Sequence, residues 1–196
     1  MILKIFEIKK INLKINYLIL FYGKNEGLKN EAISILTKNK NKIYKYDEKE
    51  ILEKKDDFFN SILSKSFFEN EKLIIILRAS DKIRDIIEEI SLKEINDIKI
   101  ILSASILEKK SKLRDFFEKH KSAICIAFYA DNTQVLNKIA YNFFNKKKIS
   151  ISQQTINLLV ERCKGNRENL NNELKKIDNF TEHNKKISAE DILKLS

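Results

Sequence analysis

Five short apolar runs, separated by stretches with helical spacing, constrain this chain more than any other feature. They are Tyr17–Tyr22, Lys42–Tyr46, Leu73–Leu77, Ile98–Leu102 and Ala123–Phe128. Leu73-Ile-Ile-Ile-Leu77 is the strongest of them, and Tyr17-Leu-Ile-Leu-Phe-Tyr22 is closed by Gly23. Continuous rather than alternating hydrophobicity marks strands covered on both faces. Between them, Leu28, Ala32, Ile35 and Leu36 recur at helical intervals. So do Ile83, Ile86, Ile87 and Ile90, then Leu113, Phe116 and Phe117, and less regularly Ile51, Phe58 and Ile62. Strands alternating with helices require right-handed crossovers, and hence a five-stranded parallel sheet with helices on both faces.

After Ala130 the period is helical throughout. Val135, Ile139 and Phe143 form one stripe, followed by the basic run Lys146-Lys147-Lys148. Ser152 fits an N-cap for a helix carrying Ile156, Leu159 and Cys163. Gly165 suits a left-handed helix stop, and Asn166 the cap of a helix with Leu170, Leu174 and Ile177 inward. Ser188-Ala-Glu-Asp191 fits a capping box before Ile192 and Leu195. The expected division is an α/β domain over 1–140 and a small helical domain over 141–196.

Composition excludes several classes. With 43% hydrophobic residues the chain can bury a core, and no apolar run approaches the ~18 residues of a spanning helix. Glu7 falls early and no small-residue cleavage site follows, which reads against a signal peptide. Cys125 and Cys163 read as buried free thiols of a cytoplasmic protein, and His120 and His183 are too few and too far apart for a metal cluster. No cofactor or metal is expected. The net charge of +10 accompanies an excess of Lys, Ile and Asn without Pro or Trp, so part of it follows from base composition; it also raises encounter rates with phosphate.

A five-stranded parallel sheet followed by a helical lid resembles a RecA/AAA+-like nucleotide-binding module, so the loop after the first strand matters. A working phosphate loop needs G-x-x-x-x-G-K-[ST], whose N–H groups, Lys and hydroxyl hold phosphates and magnesium. Here the segment is Gly23-Lys-Asn-Glu-Gly27-Leu-Lys-Asn-Glu31. The glycines are too close by one, Leu28 follows Gly27, Lys29 comes one position late, and no hydroxyl follows. Glu26 and Glu31 would repel a polyphosphate. After Leu77 stands Arg78-Ala-Ser80 in place of an acidic pair, and Gly165-Asn-Arg167 only weakly suggests a lid arginine. Glycines retained for shape alone are the favoured reading of a degenerate, inactive loop at Gly23, Gly27 and Lys29.

Two further features stand apart. Ser66-Phe67-Phe68 places two large aromatics between polar residues, at roughly 1.5–3 kcal/mol of forgone burial each if exposed. They are either tucked under a sheet edge or an anchor for a partner's apolar pocket. Lys109, Lys110, Lys112 and Arg114 form a basic group that reads as a solvated face or as DNA-proximal.

Several stretches together resemble the delta subunit of the bacterial DNA polymerase III clamp loader. They are Phe21-Tyr-Gly-Lys-Asn-Glu-Gly27, Ser66-Phe67-Phe68 leading into Leu73–Leu77, Leu102-Ser-Ala-Ser-Ile-Leu-Glu-Lys-Lys-Ser-Lys-Leu-Arg114, and Phe116-Phe-Glu-Lys-His-Lys121. Tyr129-Ala-Asp-Asn132 and Gly165-Asn-Arg-Glu-Asn-Leu-Asn-Asn-Glu-Leu-Lys-Lys176 complete the series. The resemblance implies an ATPase-inactive AAA+-like subunit with no active site of its own, working within the polymerase holoenzyme. Ser66, Phe67 and Phe68 match the family's clamp-contacting element, with Phe67 in place of the usual Leu. Implied partners are the sliding clamp (beta subunit), the gamma/tau and delta prime subunits, and, indirectly, primed DNA, with no membrane. The family's C-terminal collar domain would begin near Ser196, so assembly through a collar is not expected of these residues. The alternatives left open are a divergent P-loop NTPase and a basic DNA-binding module.

Overall fold

The computed structural model describes residues 1–13, 15–38, 42–64, 71–93, 97–183 and 189–195. Ser66, Phe67, Phe68 and Ser188 lie outside the described residues. The strands are β1 (Ile2–Leu3), β2 (Leu18–Tyr22), β3 (Ile43–Asp47), β4 (Lys72–Ala79), β5 (Ile98–Ala104) and β6 (Ala123–Ala127). They form one sheet in the order β1-β6-β2-β5-β4-β3, with every neighbouring pair parallel. The five expected strands are all present. The sixth, β1, is a two-residue edge strand, too short to show any pattern in the sequence.

The helices are α1 (Glu26–Thr37), α2 (Glu48–Glu53), α3 (Lys55–Leu63), α4 (Arg84–Leu92), α5 (Lys112–Lys119), α6 (Thr133–Lys147), α7 (Gln153–Arg162), α8 (Arg167–His183) and α9 (Ala189–Leu195). Among the described residues two 3-10 turns, Ile5–Lys10 and Asp81–Ile83, supplement them. The single irregular helix expected around Ile51 and Phe58 is two helices, because Lys54 leaves the helical region at φ −131° and ψ 54°. Asp47 caps α2 by accepting from the Lys49 N–H, and Glu50 reaches back to the Asp47 N–H, a reciprocal capping box.

The chain divides into two compact units. The first is Met1–Lys24 with Lys29–Phe128, and the second is Asn25–Leu28 with Tyr129–Ser196. In the first unit every residue of the central strands β2 and β5 is buried, which explains their unbroken apolar runs. Edge strand β3 is only half covered, and Lys45 points to water. The core joins Leu18, Leu20, Ile74, Ile76, Ile100 and Leu102 from the sheet to Ile87, Ile90, Leu113 and Phe117 from the helices. Each such side chain contributes about 1.5–3 kcal/mol by leaving water.

The second unit has its own core, built on Leu136, Ala140, Phe144, Ile156, Leu159, Cys163, Leu170, Leu174 and Ile177. The expected α6 stripe is displaced by one position: Ile139 and Phe143 flank this core, and Val135 is exposed. Because α6 packs on α7 and α8, the boundary falls at Phe128/Tyr129, where the sequence reading puts it near 140. Ser152 and Asn166 cap α7 and α8 as expected, and Gly165 turns at φ +73°. Among the described residues no helix is long and apolar enough to cross a membrane.

Candidate functional site

In sheets of this kind ligands bind beyond the C-terminal ends of the strands, so the segment following β2 is the place to look for phosphate chemistry. Gly23 adopts φ +128°, and its N–H donates to the Ser105 carbonyl at 2.9 Å. A Cβ here would lie 2.2 Å from the Phe128 carbonyl oxygen. Close approach of the neighbouring backbone therefore suffices to demand glycine, whatever a ligand would require.

Lys29 follows on α1. Its side chain is 0% exposed, and its ammonium donates to the Ala104 carbonyl oxygen at 2.5 Å. Gly23 and Lys29 are thus both accounted for inside the first unit.

The second unit contains the other half of the loop. Asn25 is buried, and its Oδ1 accepts the Leu28 N–H at 3.1 Å, so the first turn of α1 is capped from within. The Asn25 amide donates to the Tyr129 carbonyl at 2.9 Å and to Asp131 Oδ2 at 2.8 Å. A Cβ on Gly27 would meet the Glu168 nitrogen at 2.8 Å and the Arg167 carbonyl carbon at 3.2 Å. Polypeptide fills the space beside this glycine, and a phosphate does not have to.

Arg167, the weak lid-arginine candidate, is bound to a carboxylate. Its Nε donates to Asp131 Oδ2 at 2.7 Å and its NH2 to Oδ1 at 3.0 Å, with both side chains about nine-tenths buried. Sequence reasoning gave no role to Asp131 or Asn25. Asp131 lies in the Tyr129–Asn132 string, but nothing in that string indicates a partner 36 residues away.

At the C-terminal end of β4 the acidic groups serve the backbone. Glu48 accepts from the Ser80 N–H at 2.6 Å and from its hydroxyl. Asp81 accepts from the Ser111 hydroxyl at 2.5 Å and the Leu113 N–H at 3.0 Å, tying the 3-10 turn to the start of α5. These bonds, the Ser111 hydroxyl foremost, lower the Asp81 pKa. Arg78 sits in a bulge at φ +57° and pairs with Asp47.

The basic group divides in two. Lys109, Lys110 and Lys112 are exposed. Arg114 is turned inward: Nε donates to Glu118 at 2.6 Å, NH1 reaches the Leu107 carbonyl, and the guanidinium lies 5.0 Å from the Tyr22 ring centre. Lys112 also borders an open depression of about 510 Å³ with Arg84, Phe116, Lys119 and His120.

No protein-family model and no curated protein matches this sequence. Solved structures match in fold. The DNA clamp loader delta protein of Bacillus subtilis superposes with a TM-score of 0.59 at 16% identity, over 97% of this chain and 62% of that one. A RuvB variant of Thermotoga maritima gives 0.61 at 13% identity, over 97% of this chain and 65% of that one. Domain III of the Thermotoga maritima replication initiation protein DnaA gives 0.55 at 14% identity, over 97% of this chain and 87% of that one. The chain therefore has the RecA/AAA+-like α/β fold, and it spans less than two thirds of the length of the delta and RuvB chains it matches.

Proposed function

We propose that this chain is the AAA+-like portion of a clamp-loader delta subunit, which binds a ring-shaped sliding clamp and biases it to open for loading onto primed DNA. One observation carries the reading. In a fold similar to that of the delta protein and of AAA+ proteins, the polar groups of the loop after β2, and the arginine at the start of α8, are engaged within the chain. Lys29, Asn25 and Arg167 each have protein acceptors, which favours a subunit that works without hydrolysing nucleotide.

Ser66, Phe67 and Phe68 carry the clamp contact in this proposal. An aromatic pair entering an apolar pocket supplies the affinity of a hot spot. Work on the ring follows only from stronger binding to a distorted or open conformation than to the closed one, since a ligand shifts an equilibrium by its differential affinity alone. ATP enters through neighbouring motor subunits, of the gamma/tau type, and this chain needs neither metal nor nucleotide. The polymerase reaction belongs to other subunits.

The test is release of a closed clamp from nicked circular DNA. Addition of this chain without ATP is expected to accelerate release many-fold, in proportion to its concentration. A release rate unchanged by the chain contradicts the proposal.

A second reading, direct contact with DNA, is favoured by the exposure of Lys109, Lys110 and Lys112. It requires binding of primed duplex that weakens steeply with salt.

A further inference from the structure

Asp131 is a carboxylate surrounded by donors. It accepts from Arg167 Nε at 2.7 Å, Arg167 NH2 at 3.0 Å and Asn25 Nδ2 at 2.8 Å. The two Arg167 bonds form the parallel fork by which guanidinium recognises any planar or tetrahedral oxyanion. Asn25 and Arg167 stand at the starts of two helices, α1 and α8, each with N–H groups already engaged by its own capping asparagine. Leu28 N–H bonds Asn25 Oδ1, and the Glu168 and Asn169 N–H groups bond Asn166 Oδ1. The donors that converge here are side-chain donors, and a side-chain carboxylate of the same chain takes them.

A pair used only for surface solubility would not be so enclosed. Arg167 is 10% exposed and Asp131 8%. Desolvating both groups is costly, and the geometry offsets it only because three bonds converge on one carboxylate. The cluster also sits where Gly27 meets the backbone of Arg167 and Glu168, so the seating of the Asn25–Leu28 turn on the start of α8, within the second unit, depends on the charge there being neutralised.

We propose that Asp131 is a built-in anion: its carboxylate occupies an oxyanion-binding cluster made by Arg167 and Asn25, holds the Asn25–Leu28 turn to α8, and closes the cluster to the phosphate groups of external ligands. The inference stands on these bonds and not on the clamp reading, so either can fail alone.

Removing the internal anion opens the cluster to an external one. Asp131→Ala is expected to lower the Tm by about 10 °C, because a buried guanidinium loses the two bonds of the Asp131 carboxylate. Acetate, the detached equivalent of the lost group, is expected to restore at least half of that loss with saturable dependence at tens of millimolar. Sulfate and pyrophosphate are expected to act similarly, whereas chloride at equal ionic strength, a single weaker acceptor that cannot offer two oxygens to the two parallel N–H bonds, is expected to give less than about a tenth of that rescue. Asp131→Ala combined with Arg167→Ala is expected to show no rescue, and the wild-type Tm to be indifferent to pyrophosphate.

If Asp131→Ala does not fold in chloride, recovery of folded protein in acetate is the readout. Asp131→Ser, with a smaller initial loss, then gives the titration. Absence of rescue in both single variants, rescue that persists without Arg167, or saturable stabilisation of the wild type by pyrophosphate would each overturn the proposal.

Discussion

The Lys29 ammonium lies 2.5 Å from the carbonyl oxygen of Ala104, at the end of β5 and wholly out of contact with water. A lysine that follows a glycine-containing loop usually invites a phosphate-binding reading. Here it acts as a strut between α1 and the sheet. Lys29→Ala removes the packing of its stem and takes a donor from a buried carbonyl, at a cost of about 3 kcal/mol. Urea denaturation is expected to record that loss, with no effect of ATP on either protein. A loss below about 0.5 kcal/mol, the size of a surface effect, contradicts the strut.

The glycines separate by what surrounds them. Gly23→Ala drives a Cβ to 2.2 Å from the Phe128 oxygen at a φ of +128°, so Phe128 or β2 must shift. Gly165→Ala meets nothing within 4 Å and bears only the left-handed backbone, at about 1 kcal/mol. Thermal melts are expected to show Gly23→Ala as the more damaging by at least about 2 kcal/mol. Equal effects would contradict the close packing of the loop against Phe128.

The sheet was legible because β2, β4, β5 and β6 are mostly covered on both faces and their apolar runs are nearly unbroken. Caps at Ser152 and Asn166 were legible because capping is local. The α6 stripe was misplaced by one residue because Val135-Leu136, Ile139-Ala140 and Phe143-Phe144 offer two adjacent apolar stripes, and local pattern alone does not choose between them. Arg114 looked like part of a basic face; its i,i+4 partner Glu118 stands on the same helix, whereas only the fold brings Tyr22 to it. The Asp131–Arg167 pair and the buried Lys29 were invisible because charged residues carry no periodicity and these partners are 36 and 75 residues away.

Among the groups whose pKa the fold lowers, Glu7 and Glu89 are held down by exposed lysine and backbone hydrogen bonds, whereas His120 and Asp81 stand in partly buried surroundings. Partial burial lowers the His120 pKa from its ordinary 6.5, and hydrogen bonds from Ser111 and Leu113 lower that of Asp81 from 3.8. In both cases the unfolded chain binds the proton more tightly, so stability falls as pH falls. The His120 contribution is complete above 6.5 and lost as pH drops through its lower folded value; that of Asp81 is complete above 3.8 and lost below it. Urea midpoints measured against pH are expected to decline in two stages. Asp81→Asn reduces the lower stage, to which Glu7 and Glu89 also contribute, and His120→Gln removes the upper one. A profile rising toward acid contradicts the assignment.

Both thiols are buried, and burial raises the pKa of each, that of Cys125 to about 12. The reactive thiolate is therefore scarce at neutral pH. Alkylation by iodoacetamide, followed by mass spectrometry, is expected to be negligible in the native protein and complete at both positions in denaturant. Rapid native labelling of Cys125 contradicts its place in the core beside β1 and β2.

Clamp binding through the aromatic pair is decided most directly by titrating a fluorescent sliding clamp from the same organism with wild-type chain and with the Phe67→Ala, Phe68→Ala double variant. The expected result is saturable binding by the wild type, at least about a hundredfold weaker binding by the variant, and a Tm unchanged within about 2 °C. Equal affinities, or a variant that loses affinity only because it unfolds, would contradict the proposed contact.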